Sequence, residues 1–247
     1  MKNNKSLYIV MPAYNEEETI EKVINDWYPV LDLSNEKSKL VIADNKSKDK
    51  TYEILKKLQK KYPKLEVIKS EIPGHGPTVI KLYKYAIENK ADFIFQTDSD
   101  GQTNPDEFKN FWNQINKYDI VLGNRVKRGD GKSRKIVEKT LCLILRIIFG
   151  VKLKDANAPF RLMKTDVVNK YINRFDDNYN LPNVMLSTYF KYYKENFKYE
   201  EISFKPRQGG KNSINIKKIF KIGWKAISDF RKFKKDLKIE KKKIKGI

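Results

Sequence analysis

Asp98 and Asp100 are the residues whose type and spacing most directly imply chemistry. They follow the run Phe93-Ile94-Phe95-Gln96-Thr97, which has strand character, and on an extended backbone carboxylates at i and i+2 point to one side. Two hard oxygen ligands then converge where the strand runs out. Such a pair is half of a site for Mg2+ or Mn2+, which bind one or two carboxylates and complete their shell with water and phosphate oxygens. Solvated turn carboxylates show the same pattern, so the surrounding elements decide its meaning.

Those elements are legible in order. Ser6-Leu7-Tyr8-Ile9-Val10-Met11 reads as a buried strand, and Glu16-Glu17-Glu18 suit the positive first turn of a helix continuing through Ile20, Val23, Ile24 and Trp27. Residues 40–43 form a second strand, followed by a turn in which Ser47 or Asp49 could cap a helix carrying Tyr52, Leu55 and Leu58. Residues 65–68 form a third strand, and Gly74-His75-Gly76-Pro77 opens a helix over 78–89. Residues 93–97 are the fourth strand and 120–122 the fifth. Short strand–helix–strand connections imply a mostly parallel sheet with helices on both faces, and such sheets bind ligands at the carboxyl ends of their strands. The loops starting at Pro12, Asp44, Gly74 and Asp98 share that edge.

Beyond Gly123 the alternation becomes irregular. The basic, glycine-containing stretch 125–134 reads as a mobile loop, 136–149 as a helix apolar nearly all round, 182–196 as a helix and 199–204 as a strand. From Ile214 onward Ile216, Ile219, Phe220, Ile227, Phe230, Phe233 and Leu237 fall near one helical face, with lysines opposite.

Charge narrows the partners. The 247 residues carry a formal +21, and the segment 211–247 holds fourteen Lys/Arg against three Asp/Glu, a net of +11. An excess of this kind favours an anionic membrane or a nucleic acid. No RNP, helix-turn-helix or zinc-finger pattern accompanies it, and its concentration in a tail argues against nucleic acid. The single Cys142 excludes an internal disulfide, and the single His75 disfavours Ser-His-Asp chemistry. No signal peptide is expected, and no stretch reaches the roughly 18 to 20 apolar residues of a transmembrane helix.

Three ordered motifs carry a resemblance: Val10-Met11-Pro12-Ala13-Tyr14-Asn15-Glu16-Glu17, then Asp44-Asn45-Lys46-Ser47-Lys48-Asp49-Lys50-Thr51, then Asp98-Ser99-Asp100-Gly101-Gln102. In this order they resemble the family 2 glycosyltransferases, and within them the dolichyl or polyprenyl phosphate mannose and glucose synthases. Gly123-Asn124-Arg125 and the segments 155–161 and 207–213 extend the likeness over about residues 6–213. The resemblance implies an α/β fold of the GT-A nucleotide-diphospho-sugar transferase type, with a catalytic domain over 1–210 and a basic amphipathic tail over 211–247. It implies an inverting, Mg2+- or Mn2+-dependent transfer from a UDP- or GDP-sugar. It places Pro12, Tyr14, Glu16, Asp44, Gly76 and Ser99 at the donor, with Arg207 and Lys211 on its phosphates. Asp98, Asp100 and Gln102 would serve the metal, and Arg125, Arg134 and Arg161 the acceptor phosphate.

The sequence also departs from that pattern. Asn45 replaces the commoner second Asp, His75 stands between two glycines, Pro159 replaces a common Gly, and Glu138 falls where related synthases often carry Ser. A hydroxyl acceptor needs a carboxylate base, whereas a phosphate monoester is already anionic near neutral pH. Asp176 and Asp177 match the base region of hydroxyl-acceptor enzymes poorly, so a polyprenyl-type lipid phosphate is the expected acceptor, and a glycan, lipid or protein hydroxyl the alternative. A cytoplasmic enzyme held at a membrane follows, with 136–149 or the tail as contacts. A packed core helix and a solvated tail are the competing readings of those two segments.

Overall fold

The structure, a computed structural model, describes residues 4–129, 131–208 and 216–244. Its centre is β1 (Leu7–Ala13), in which every residue is buried. Leu7, Ile9 and Met11 face one hydrophobic core while Tyr8 and Val10 face the other, so period-two alternation divides one apolar run between two layers. β2 (Lys39–Asp44) pairs parallel with one edge of β1, and β3 (Leu65–Lys69) pairs parallel with β2. The other edge of β1 takes β4 (Phe93–Thr97), also parallel. The crossovers contain α1 (Ile20–Trp27), α2 (Thr51–Lys61) and α3 (His75–Glu88).

The second half adds α4 (Phe108–Trp112), β5 (Ile120–Arg128), α5 (Lys132–Phe149), β6 (Phe160–Lys164), α6 (Thr165–Ile172), α7 (Pro182–Tyr192), β7 (Phe197–Phe204) and α8 (Ile216–Ile244). The seven strands run in the order β3-β2-β1-β4-β6-β5-β7. β6 lies antiparallel between β4 and β5, and the other four pairings are parallel. Helices α1, α2 and α4 cover one face around Trp27, Phe95, Phe108 and Phe160, and α3, α5, α6, α7 and α8 cover the other. The α/β class and the mostly parallel sheet expected from the sequence are what the chain forms.

Several local expectations change. Among the described residues of the basic stretch 125–134, most lie in regular elements: β5 reaches Arg128 through parallel pairing with β7, and α5 begins at Lys132. Charge marked it as a loop, but the hydrogen bonds of a ladder do not depend on side-chain polarity. β6 and α6 carried no distinct signal, since Phe-Arg-Leu-Met-Lys puts a charge mid-strand. α5 is two-sided, with Leu145 and Phe149 buried and Leu143 and Ile147 exposed. In α8, Ala226, Phe230 and Leu237 are buried at spacings of four and seven, and Phe230 meets Phe149 of α5 at 6.2 Å.

Candidate active site

The carboxyl ends of β2, β1 and β4 are neighbours, so the loops leaving them occupy one sheet edge. The turn after β4 is pinned to β1 by Ser99, whose hydroxyl donates to the Pro12 carbonyl at 2.8 Å. On its far side Gln102 grips Lys205: its side-chain amide donates to the Lys205 carbonyl, and its own carbonyl accepts from the Lys205 amide, both at 2.8 Å. Gly101 between them has φ +71°, and an added β-carbon would crowd the Gln208 side chain at 3.2 Å. Asp98 and Asp100 therefore sit on a turn clamped at both ends.

Asp98 is partly exposed. Its Oδ1 accepts from Gln96 Nε2 at 3.2 Å and lies 3.1 Å from His75 Nε2. Gln96 is oriented by Asn183 at 2.9 Å, and Asn183 by the Tyr83 hydroxyl at 2.7 Å, a buried relay from α7 and α3. Desolvation works to lower the His75 pKa, but Asp98 and then Asp100 outweigh it and hold the imidazole above its ordinary value. Asp100 is buried, and burial followed by the Asp98 charge pushes its pKa up to about 6. Arg207 answers that charge from 3.6 Å and pairs with Glu16. Burial raises Glu16 to about 7 against the pull of Arg207 and the Thr19 hydroxyl. Among the described residues no group of three or more His, Cys, Asp or Glu is placed to hold a metal. Two crowded carboxylates on a fixed turn, one of them desolvated, still suit a hard divalent cation whose other ligands are water and phosphate oxygens.

Asp44 ends β2 as a buried residue; its Oδ2 accepts weakly from the Ser47 amide at 3.4 Å, while Oδ1 has no hydrogen-bond partner. A desolvated orphan oxygen is costly unless a ligand answers it. Asn45 has a structural task, accepting from the Gly74 amide at 2.9 Å and so tying the β3–α3 loop to β2. Tyr14 is 37% exposed beside that edge. Gly76 packs on backbone: a β-carbon would lie 2.4 Å from the Tyr179 carbonyl, so its side-chain face is closed to a donor.

The acceptor-side arginines separate. Arg125 is largely buried and forms a two-pronged pair with Asp155, Nε to Oδ2 at 2.7 Å and Nη2 to Oδ1 at 2.8 Å, while Glu138 Oε2 lies 3.6 Å away. Glu138 also accepts from the Ala156 amide at 2.7 Å. Burial and the Asp155 charge raise the Glu138 pKa. Arg161 is fully buried, donating to the carbonyls of Ala156, Ala158 and Asn183 and to Ser187 Oγ. It is thereby closed to an acceptor phosphate, while Asp155 pairs with Arg125. Its mid-strand position in β6, facing the helical layer, was not visible in the motif that nominated it. Arg134 lies half-buried on the first turn of α5, and Lys211 falls outside the described residues. His75 on Asp98 and the Gln96–Asn183–Tyr83 relay join residues up to 100 positions apart, so no local signal could have linked them.

A sheet of this order with a clamped Asp-x-Asp turn at its carboxyl edge defines a GT-A type glycosyltransferase. The chain belongs to Glycosyl transferase family 2, which it matches over residues 8–237. It is 29% identical over 179 residues to the UDP-N-acetylglucosamine–dolichyl-phosphate N-acetylglucosaminyltransferase of Methanococcus voltae, covering 64% of this chain and 69% of that one. It is 28% identical to the dolichol-phosphate mannosyltransferase of Pyrococcus furiosus, covering 65% of this chain and 46% of that one. The chain thus spans about half to two thirds of the curated relatives it matches. Among solved structures, M. tuberculosis glucosyl-3-phosphoglycerate synthase with Mn2+ and UDP-glucose superposes with a TM-score of 0.66 at 17% identity, covering 90% of this chain and 77% of that one. S. aureus TarS with UDP-GlcNAc gives 0.62 at 18%, covering 91% and 66%. At these identities the likeness establishes the fold.

Proposed function

We propose that this glycosyltransferase moves a sugar, with inversion, from a UDP- or GDP-sugar to a polyprenyl-type lipid phosphate at the cytoplasmic face of an anionic membrane. The observation that carries the donor half is the buried Asp100 beside Asp98 on the clamped turn. These two carboxylates would hold Mg2+ or Mn2+, whose charge, when bound, offsets that of the leaving diphosphate. Arg207, already at Glu16 and Asp100, is within reach of the same phosphates, and Lys211 follows it in sequence. Asp44 Oδ1 would accept from the nucleotide base, with Tyr14 beside it. Ser99, Pro12 and Gln102 shape the pocket through the hydrogen bonds they make to hold the turn.

The acceptor half rests on which carboxylates are occupied. Arg125 lies on β5, two strands and about 10 Å from β4 across the sheet. Its neighbours Asp155 and Glu138 are engaged by it, which removes them as ready bases for a hydroxyl acceptor. Asp177 turns to Lys84 on α3, and Asp176 is exposed beside it. A phosphate monoester needs no base, and its charge would draw chiefly on Arg134, with Arg125 already shared between Asp155 and Glu138. The named acceptors of the curated relatives, dolichyl and undecaprenyl phosphates, have this chemistry.

The test incubates the protein, Mn2+ or Mg2+ and a short polyprenyl phosphate with a panel of UDP- and GDP-sugars, following lipid product by mass spectrometry. A metal-dependent lipid-phosphate sugar, absent with Asp100→Ala, is the expected result and names the donor. Donor hydrolysis without lipid product would overturn the acceptor assignment.

A further inference from the structure

α5 presents two unlike faces. Inward, Leu145 and Phe149 are buried and Glu138 reaches the Arg125–Asp155 pair. Outward, Ile136, Leu143 and Ile147 are 65, 55 and 75% exposed, and their spacing of seven and four residues aligns them in one stripe. Val137, 40% exposed, widens it. Beside the stripe runs a second row, exposed Lys135, Lys139 and Arg146, again at spacings of four and seven. Glu138 is the only acid in the helix, and it points inward. Every outward charge on α5 for which a side chain is described is therefore positive.

We infer that the Ile136–Leu143–Ile147 stripe, with its Lys135–Lys139–Arg146 row, is the surface by which this protein docks on an anionic lipid bilayer. The occupant follows from the pairing of the rows. Isolated exposed apolar residues are ordinary, but a stripe of three on one helix, flanked by a row of three basic residues with no acid among them, matches a surface that is apolar below and anionic above. A second copy of the chain would set lysine against lysine, and a nucleic acid would leave the apolar stripe unanswered. Long Lys and Arg stems extend along apolar surface while keeping their charge at headgroup level. The inference extends the lipid-acceptor reading, since the helix docked outward is the one that touches the acceptor-side arginine inward. Vesicle binding tests it without any sugar transfer.

The experiment floats the full chain with vesicles of phosphatidylcholine alone and of phosphatidylcholine with one quarter phosphatidylglycerol. Wild type is expected to float with the anionic vesicles only. Leu143→Glu/Ile147→Glu and Lys139→Glu/Arg146→Glu, all at exposed positions, are each expected to weaken partitioning roughly 10-fold or more. Lys232→Glu/Lys235→Glu on exposed positions of α8 keeps most of the binding. Matching thermal melts establish that the variants fold. Equal binding by the α5 variants and wild type would overturn the inference, as would loss of binding only in the α8 variant. A wild-type dimer in solution made monomeric by Leu143→Glu/Ile147→Glu would reassign the face to a second copy. Transfer to a water-soluble, short-chain polyprenyl phosphate without vesicles should be unchanged in Leu143→Glu/Ile147→Glu. If wild type makes no such product, the acceptor reading fails while the vesicle result stands.

Discussion

At the scale of single residues, the site concentrates negative charge that the folded chain balances only in part. Glu16 is raised to about 7 and Asp100 to about 6, so between the ordinary carboxylate range and those values the folded state binds more protons than the unfolded one. Stability must therefore fall as pH rises through this window, and the raised His75 acts in the same direction. Without metal, the melting temperature at pH 7.5 should lie roughly 5 °C below that at pH 5. Glu16→Gln should flatten the profile; a wild-type profile that rises instead would contradict the burial of both carboxylates. Added Mn2+ should raise the melting temperature more at pH 7.5 than at pH 5.5, because protons compete for Asp100. Asp44 makes a different prediction. If its orphan oxygen answers a nucleotide base, Asp44→Ala should raise the donor KM roughly 10-fold with little change in kcat. An equal fall in kcat at unchanged KM would instead place Asp44 in the reacting geometry.

Between elements, the contacts that matter join segments of very different sequence position. α8 docks by Phe230, which is buried against α5, and by Phe233, 5.3 Å from Tyr179 and 6.0 Å from Phe175. It is fastened by Glu240, which pairs with Arg174 at 2.9 Å and accepts from the Tyr193 hydroxyl at 2.7 Å. Arg174 also lies over the rings of Tyr171, Tyr189 and Tyr193. Phe230→Ala removes a buried ring and should cost about 3 to 4 kcal/mol in chemical denaturation. Glu240→Ala breaks a half-exposed pair and should cost about 1 kcal/mol or less. The reverse ranking would show that charge, not packing, holds this helix to the core.

Over the whole molecule, the sheet order places the Asp98–Asp100 turn at the β2-β1-β4 edge and Arg125 on β5, with the antiparallel β6 spacing them apart. On the proposed donor reading, the matching nucleoside diphosphate with Mn2+ would bind the folded chain alone. At about 100 times its dissociation constant it should stabilise by roughly 2.7 kcal/mol, or about 5 to 10 °C in melting temperature. Running UDP and GDP side by side identifies the base; equal, negligible shifts would count against the donor pocket itself.

The sequence by itself determined the parallel half-sheet, since β1, β2 and β4 are apolar runs bounded by polar turns, and it located the Asp98–Asp100 turn, because i, i+2 carboxylates at a strand end are a local pattern. It also marked the family, through motifs that each lie within one loop. Only the tertiary structure decided how the arginines divide. Arg125 and Arg161 look alike in sequence, yet one holds the Asp155 carboxylate and the other is spent on buried carbonyls. It likewise decided that the basic stretch after Gly123 is a paired strand, that His75 reaches Asp98, and that one side of α5 is core while the other is bare. Each of those outcomes depends on which distant segment lies alongside, and charge and hydropathy along a chain do not encode that partner.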